Sequence, residues 1–238
     1  MQKRPLLKAL GSSLLLASTS TWLHAQTKPI RVGSTLSLTG PLAGTAVMHK
    51  IAGDIFIEQL NKRGGLLGRP VEWVVKDDQS KPDLARTLYE QLISGEKVDL
   101  LMGPYATANS LAAMGVAQRN GKVLITNSFG IPSLAKYDMH FPAYVMGIDP
   151  GTTVPNTLLD SIAASGAKPQ SVAMVTSKFP SVVFLSVGAR EVFKKRGVRE
   201  ALWLEWEFGN REFGPIASRL KEANADMVWI GSIGAESM

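Results

Sequence analysis

The stretch Val98–Ser128, VDLLMGPYATANSLAAMGVAQRNGKVLITNS, decides the fold. Val98–Met102 and Val123–Thr126 are short apolar runs that read as buried strands, and the alanine-rich segment between them, from about Ala108 to Arg119, reads as a helix. A strand, a helix and a second strand in that order make a crossover unit, which pairs its strands in parallel.

The same unit repeats upstream. Ile30–Ser37 is an apolar, β-branched run that ends in the turn Thr39-Gly40-Pro41. Val47, Ile51 and Ile55 then recur every four residues, with Met48 and Phe56 beside them, a stripe expected to press against the sheet. The glycines of Asn61–Gly68 close that helix. Val71–Lys76 forms the next strand and ends in Asp77-Asp78; Pro82 opens a helix lined by Leu84, Leu88 and Leu92 as far as Gly95. Four such steps predict a parallel sheet with helices on both faces.

Downstream, Pro132, Pro142, Pro150 and Gly151 interrupt short segments such as Tyr144–Ile148, which reads as a crossover between two lobes. The alternation then resumes. Helices are expected near Val154–Ala164, Val182–Arg196 and Phe213–Ala223, and strands at Ser171–Thr176, Ala201–Trp206 and Met227–Ile230. Phe213, Ile216, Ala217 and Leu220 give the last helix its apolar stripe, and Trp203, Trp206 and Trp229 sit in strand runs as core residues.

The first residues lie outside this pattern. Lys3, Arg4 and Lys8 precede the apolar run Ala9–Ala17, and the segment reads as an export signal cleaved after Ala25. Its loss takes the formal charge from +6 to +3, too mild to point to a nucleic-acid partner. The chain has no cysteine, which excludes disulfides, thiolate metal sites and a thiol nucleophile.

Catalytic signatures are missing as well. His49 and His140, the histidines beyond the signal, lack metal-ligand spacing and read as surface or packing residues. Thr126–Gly130 lacks the first glycine of a nucleophile elbow, and no glycine-rich phosphate or dinucleotide loop follows the first strand. Asp77-Asp78 reads as acids at a strand end, solvated or capping the next helix, in preference to a paired acid site. The expectation is therefore a protein that is not an enzyme and needs no cofactor or metal.

What the loops do carry is small hydroxyl residues ahead of helix starts: Ser37–Thr45, Gly103–Ser110 and Asn127–Gly130. Hydroxyls beside the unpaired N–H groups of a helix N-terminus can hold a carboxylate. From spacing alone, Thr107 reads as an ordinary helix cap.

Three blocks, IRVGSTLSLTGPLAG, EQLNKRGGLLGRPVEWVVKDDQSKP and the opening stretch above, together with ASRLKEANADMVWIGSIGAES near the end, resemble the periplasmic leucine/isoleucine/valine-binding proteins, the type I solute-binding proteins of branched-chain amino acid ABC transporters. The resemblance implies an α/β chain of the type I periplasmic-binding-protein fold, with two doubly wound parallel-sheet lobes at residues 26–148 and 149–238, the second incomplete. It implies a periplasmic monomer that captures an amino acid or related carboxylate or amide between its lobes and delivers it to an inner-membrane permease. A ligand-sensing domain of a receptor or regulator with the same fold is the alternative.

By the same resemblance, Ala106 and Thr107 fall where the family holds the ligand carboxylate, and Ser128, Phe129 and Gly130 fall on its second ligand loop. Thr45 lies near the pocket mouth, Ser181 in a contact loop of the second lobe, and Glu236 on the acid that pairs with the ligand ammonium. Gly130 lacks a hydroxyl used by amino-acid binders, Phe129 is bulky where a small residue is usual, and Thr45 replaces an aromatic. These departures point away from branched-chain ligands toward another amino acid, an amide or an aromatic acid. A second lobe of three strands, ending two residues after Glu236, is expected to be unstable and to bind weakly or not at all.

Overall fold

A computed structural model describes residues 28–143 and 149–237; the expected export signal and the Tyr144–Ile148 segment lie outside them. The elements run β1 (Ile30–Leu36), α1 (Ala43–Lys62), β2 (Val71–Asp77), α2 (Pro82–Ser94), β3 (Leu100–Met102), α3 (Thr107–Arg119), β4 (Leu124–Thr126) and β5 (His140–Pro142). They continue with α4 (Pro150–Ala164), β6 (Ser171–Ser177), α5 (Pro180–Lys195), β7 (Arg199–Trp206), α6 (Gly214–Ala223) and β8 (Met227–Gly231). The first lobe holds a five-stranded sheet in the order β2-β1-β3-β4-β5 and the second a three-stranded sheet, β7-β6-β8. Every pair within them is parallel.

Alternate residues of β1 separate the two faces of the first sheet. A Cβ on Gly33 would touch Val98 and Leu92, so that face belongs to α2 and α3. Tyr89, Leu92, Leu101, Val116, Ala117 and Leu124 fill the core there. Ser34 and Leu36 point the other way, toward α1.

The face α1 offers is not the predicted one. Ala46 is buried and His49, Gly53, Ile57 and Leu60 are half-buried, whereas Met48, Ile51, Ile55 and Phe56 are 49–63% exposed. Trp73 explains the rotation: its ring lies against Gly53, where a Cβ would sit 2.1 Å from it, so small residues face β2 and the large apolar ones turn outward. Beside α1, an apolar groove of about 410 Å³ runs over β1, β3 and β4 between Phe56, Leu66, Met102 and Ile125.

In the second lobe, Leu159, Val172, Met174, Ala189, Val192 and Phe193 form the core between β6, α4 and α5. Helices α4 and α5 cross closely because Gly188 meets Gly151, with a Cβ on Gly188 placed 2.6 Å from the Gly151 backbone. Trp206 is buried and meets Phe213 edge-on, while Trp203 and Trp229 are half-buried against the core.

Strand β5 was not expected. Its three residues, His140-Phe141-Pro142, end in a proline, but β5 is an edge strand, where one missing N–H leaves no ladder bond broken.

Candidate functional site

In open parallel sheets, ligands bind beyond the carboxyl ends of the strands, at the point where the strand order reverses. In the first sheet that point lies between β1 and β3, and in the second between β6 and β8. The loops from all four strands, with the end of β4, meet around one cleft of about 350 Å³. Thr45, His49, Tyr105, Ala106, Asn127, Ser128 and Gly130 line it from the first lobe. Phe179, Ser181, Val182, Leu185, Ser232 and Ile233 line it from the second.

The loop leading into α1 and Thr45 is held by the acids at the end of β2. Asp78 is fully buried and accepts hydrogen bonds from Thr35 Oγ1 at 2.8 Å, Ser37 Oγ at 2.7 Å and the Ser80 N–H at 3.0 Å. Asp77 accepts from the N–H groups of Leu38 and Thr39 and from Thr39 Oγ1 at 2.7 Å. Burial pushes its pKa up, but these hydrogen bonds outweigh it and hold the carboxyl below the usual aspartate value. Asp78 is therefore not solvated, Asp77 is half-buried, and neither caps α2, whose N-cap is Lys81. The pair ties the β1–α1 loop to the β2–α2 loop.

The second support is a pair of hydroxyls. Ser128 Oγ accepts from the Ala106 N–H and donates to the Pro104 carbonyl, both at 3.0 Å. Thr107 Oγ1 accepts from the Gly130 N–H at 3.0 Å, so it joins the β4 end to α3 and does not cap its own helix. Ala106 takes φ 76° and ψ 149°, a region that is essentially glycine's, at a cost on the order of 1–3 kcal/mol. That twist aims the start of α3 at the cleft.

Three helix N-termini reach the cleft through Thr45 of α1, Ala106 before α3 and Ser181 of α5. None has a side-chain cap or an acidic residue in its first turn. Their N–H groups and dipoles favour an anion.

The rings of His49 and Tyr105 meet at 4.9 Å between centroids. Asn127 Nδ2 donates to His49 Nδ1 at 3.0 Å, which leaves the imidazole proton on Nε2. Burial lowers the pKa of His49, so the ring is neutral at pH 7.

The structure thus brings Thr45, Ala106, Ser128, Gly130 and Ser181 to one cleft. Thr107 stands behind it, only 2% exposed. Phe129 turns its ring into the first-lobe core, edge-on to His140, and leaves its hydrogen-bonding neighbours to face the cleft. Glu236 lies apart: its carboxylate accepts from the Gly209 N–H at 2.7 Å and lines an adjoining pocket of about 280 Å³ with Thr45, Arg211 and Ile233.

Sequence reasoning did not assign His49, Tyr105 or Asn127 to the site, and it reached Phe179 only as part of the contact loop that carries Ser181. Each directly follows a strand end or lies in the first turns of the next helix, and that position was the available signal. Among the described residues, no group of three histidine or carboxylate side chains could hold a metal ion, and no helix is long and apolar enough to cross a membrane.

Known proteins agree with this geometry. A family model described as periplasmic binding protein matches residues 29–237. A Leu/Ile/Val-binding protein homolog from Brucella melitensis is 24% identical over 225 residues, which cover 94% of this chain and 60% of the relative. A leucine-, isoleucine-, valine-, threonine- and alanine-binding protein from Pseudomonas aeruginosa is 22% identical, over 87% of this chain and 54% of its own length. The chain thus spans little more than half the length of these relatives.

Among solved structures, the Streptococcus pneumoniae branched-chain amino acid transporter substrate-binding protein in complex with isoleucine is 20% identical, with a TM-score of 0.70 over 85% of this chain and 57% of its own. A solute-binding protein of an ABC transporter from R. palustris in complex with benzoate is 21% identical, with a TM-score of 0.72 over 87% of this chain and 56% of its own. With its two parallel-sheet lobes and a family match across nearly all the described residues, the chain belongs to the periplasmic binding protein family, among the relatives of the leucine/isoleucine/valine-binding proteins.

Proposed function

We propose that this chain is the solute-capturing component of an ABC transporter. It acts in the periplasm as a monomer and hands a small carboxylate, held between its lobes, to a permease in the inner membrane. The observation that carries the reading is the cleft itself, which lies where the strand order reverses in both sheets and is reached by three uncapped helix N-termini.

In this reading the N–H groups at the start of α3, set by Ala106 and Ser128 and braced by Thr107, receive the carboxylate. Thr45 and the backbone at Phe129 and Gly130 border the ligand from the first lobe, and Ser181 closes on it from the second. Glu236 would meet a ligand group only through the adjoining pocket. Rigid movement of one lobe against the other then traps and releases the solute.

A thermal-shift screen of the purified chain against small carboxylates, amino acids and amides tests the proposal, because a ligand that binds only the folded state raises Tm. The expected outcome is a concentration-dependent rise with at least one carboxylate, abolished by Ser128→Ala together with Ser181→Ala. No shift with any compound, from a chain that melts cooperatively, would overturn the reading.

A further inference from the structure

We infer that the cleft takes an aromatic carboxylate that carries no α-ammonium group, in preference to an amino acid. This rests on the reading of the cleft as the solute site and names the solute class.

Charge supports the inference first. A zwitterion leaving water needs an acid for its ammonium as much as donors for its carboxylate, because an unpaired buried charge is strongly disfavoured. The cleft supplies the donors through three uncapped helix starts. None of the described residues that line it is an aspartate or glutamate. The candidate acid, Glu236, lines the adjoining pocket and not the cleft: its Oε1 accepts from the Gly209 N–H, its Oε2 is buried without a partner, and Thr45 and Ile233 belong to the walls of both spaces. An ammonium placed in the cleft would therefore face helix dipoles of its own sign.

Shape supports it second. The lining includes the tilted rings of His49 and Tyr105, 4.9 Å apart, from the first lobe and Phe179, paired with Phe208 at 5.0 Å, from the second. Flat, weakly polar walls of this kind match an aromatic ring, with its offset and edge-on contacts, better than a branched aliphatic chain. A neutral imidazole with its proton on Nε2 adds a donor without a positive charge, suited to a ring hydroxyl or a carboxylate oxygen.

Two matched pairs of ligands separate these arguments: 3-phenylpropanoate against L-phenylalanine, and 4-methylpentanoate against L-leucine. Within each pair only the ammonium differs; across the pairs the ring does. Isothermal titration calorimetry of the purified chain should show 3-phenylpropanoate binding at least tenfold more tightly than both L-phenylalanine and 4-methylpentanoate, with benzoate also binding. Tighter binding of either amino acid than of its ammonium-free partner would overturn the inference and leave the solute-binding reading standing. Failure of all five compounds, in a chain that melts cooperatively, would overturn both.

Discussion

Replacing Gly130 by alanine should act on the contact between the lobes and on little else. A Cβ built on Gly130 lies 2.8 Å from Ser181 Cβ, across the cleft in the first turn of α5. Carbon atoms in contact prefer about 3.5–4.0 Å, so the lobes must part locally by roughly 1 Å. Gly130 cannot retreat, because its N–H is bonded to Thr107 Oγ1 at 3.0 Å and that oxygen lies 3.5 Å behind the new Cβ. Overpacking of this kind costs about 1–3 kcal/mol. In the proposed mechanism the lobes meet on the solute, so the clash opposes the form that holds it, and Kd should rise about 5- to 150-fold. Calorimetric titration with the tightest ligand of the panel above measures this. Ser181→Gly removes the opposing Cβ together with a hydroxyl of the cleft, so the clash is read as the coupling of a double-mutant cycle: Gly130→Ala should cost much less in the Ser181→Gly background than in the parent. A Kd within twofold of the parent for Gly130→Ala, or an equal cost of Gly130→Ala in both backgrounds, would refute the reasoning.

Further outcomes follow from the same geometry. Gly188→Ala drives a methyl into the Gly151 backbone, which cannot move aside as a side chain could, so denaturant unfolding should show a loss of about 1–3 kcal/mol. Asp78→Ala strips the Thr35 and Ser37 hydroxyls of their acceptor in a fully buried place and should cost at least about 2 kcal/mol by the same measurement, at 1–3 kcal/mol per unsatisfied group. Ile55→Lys, on the outward face of α1, should change stability by less than about 0.5 kcal/mol; a larger loss would mean that this face is packed. Burial holds His49 and His140 below the ordinary imidazole value, so the unfolded chain takes up these protons first as the pH falls. Their contribution is complete at neutral pH, is lost as pH drops through about 6.5 toward the lower native values, and levels off below those. A denaturant midpoint at pH 5.5 that is not below the midpoint at pH 7.5 would contradict this.

The alternation of strands and helices was legible in the sequence because apolar runs and 3.6-residue stripes alternate with glycine and proline breaks, and both parallel sheets follow from it. Three readings failed for local physical reasons. The stripe of α1 rests on the four-residue recurrence of Val47, Ile51 and Ile55, whereas the bulk of Trp73 selects the small residues Ala46 and Gly53 for the sheet side. Strand β5 is too short, and too interrupted by Pro142, to announce itself. Asp78 looks like a surface acid until the hydroxyls of Thr35 and Ser37, some forty positions away, are brought onto it. The site was legible in part for a related reason. Thr45, Ser128 and Ser181, which the family resemblance marked, stand just past a strand end or in the first turn of the next helix. His49 and Tyr105 matter only because tertiary contact brings their rings together, and Glu236 is drawn aside by the Gly209 N–H, a partner no spacing reveals.

The paired acids at the end of β2 bear on how recognition can change. With two carboxylates holding the β1–α1 loop through five donors, among them Thr35, Ser37 and Thr39, the backbone that presents Thr45 is set before any solute arrives. Little ordering entropy is then lost when a ligand binds, and affinity is governed by the side chains that project from a fixed frame. On the proposed reading, such a frame would let selectivity drift by single replacements at position 45 or 49 without rebuilding the loop, so that one scaffold could be retailored from one small acid to another while its folding stays the same.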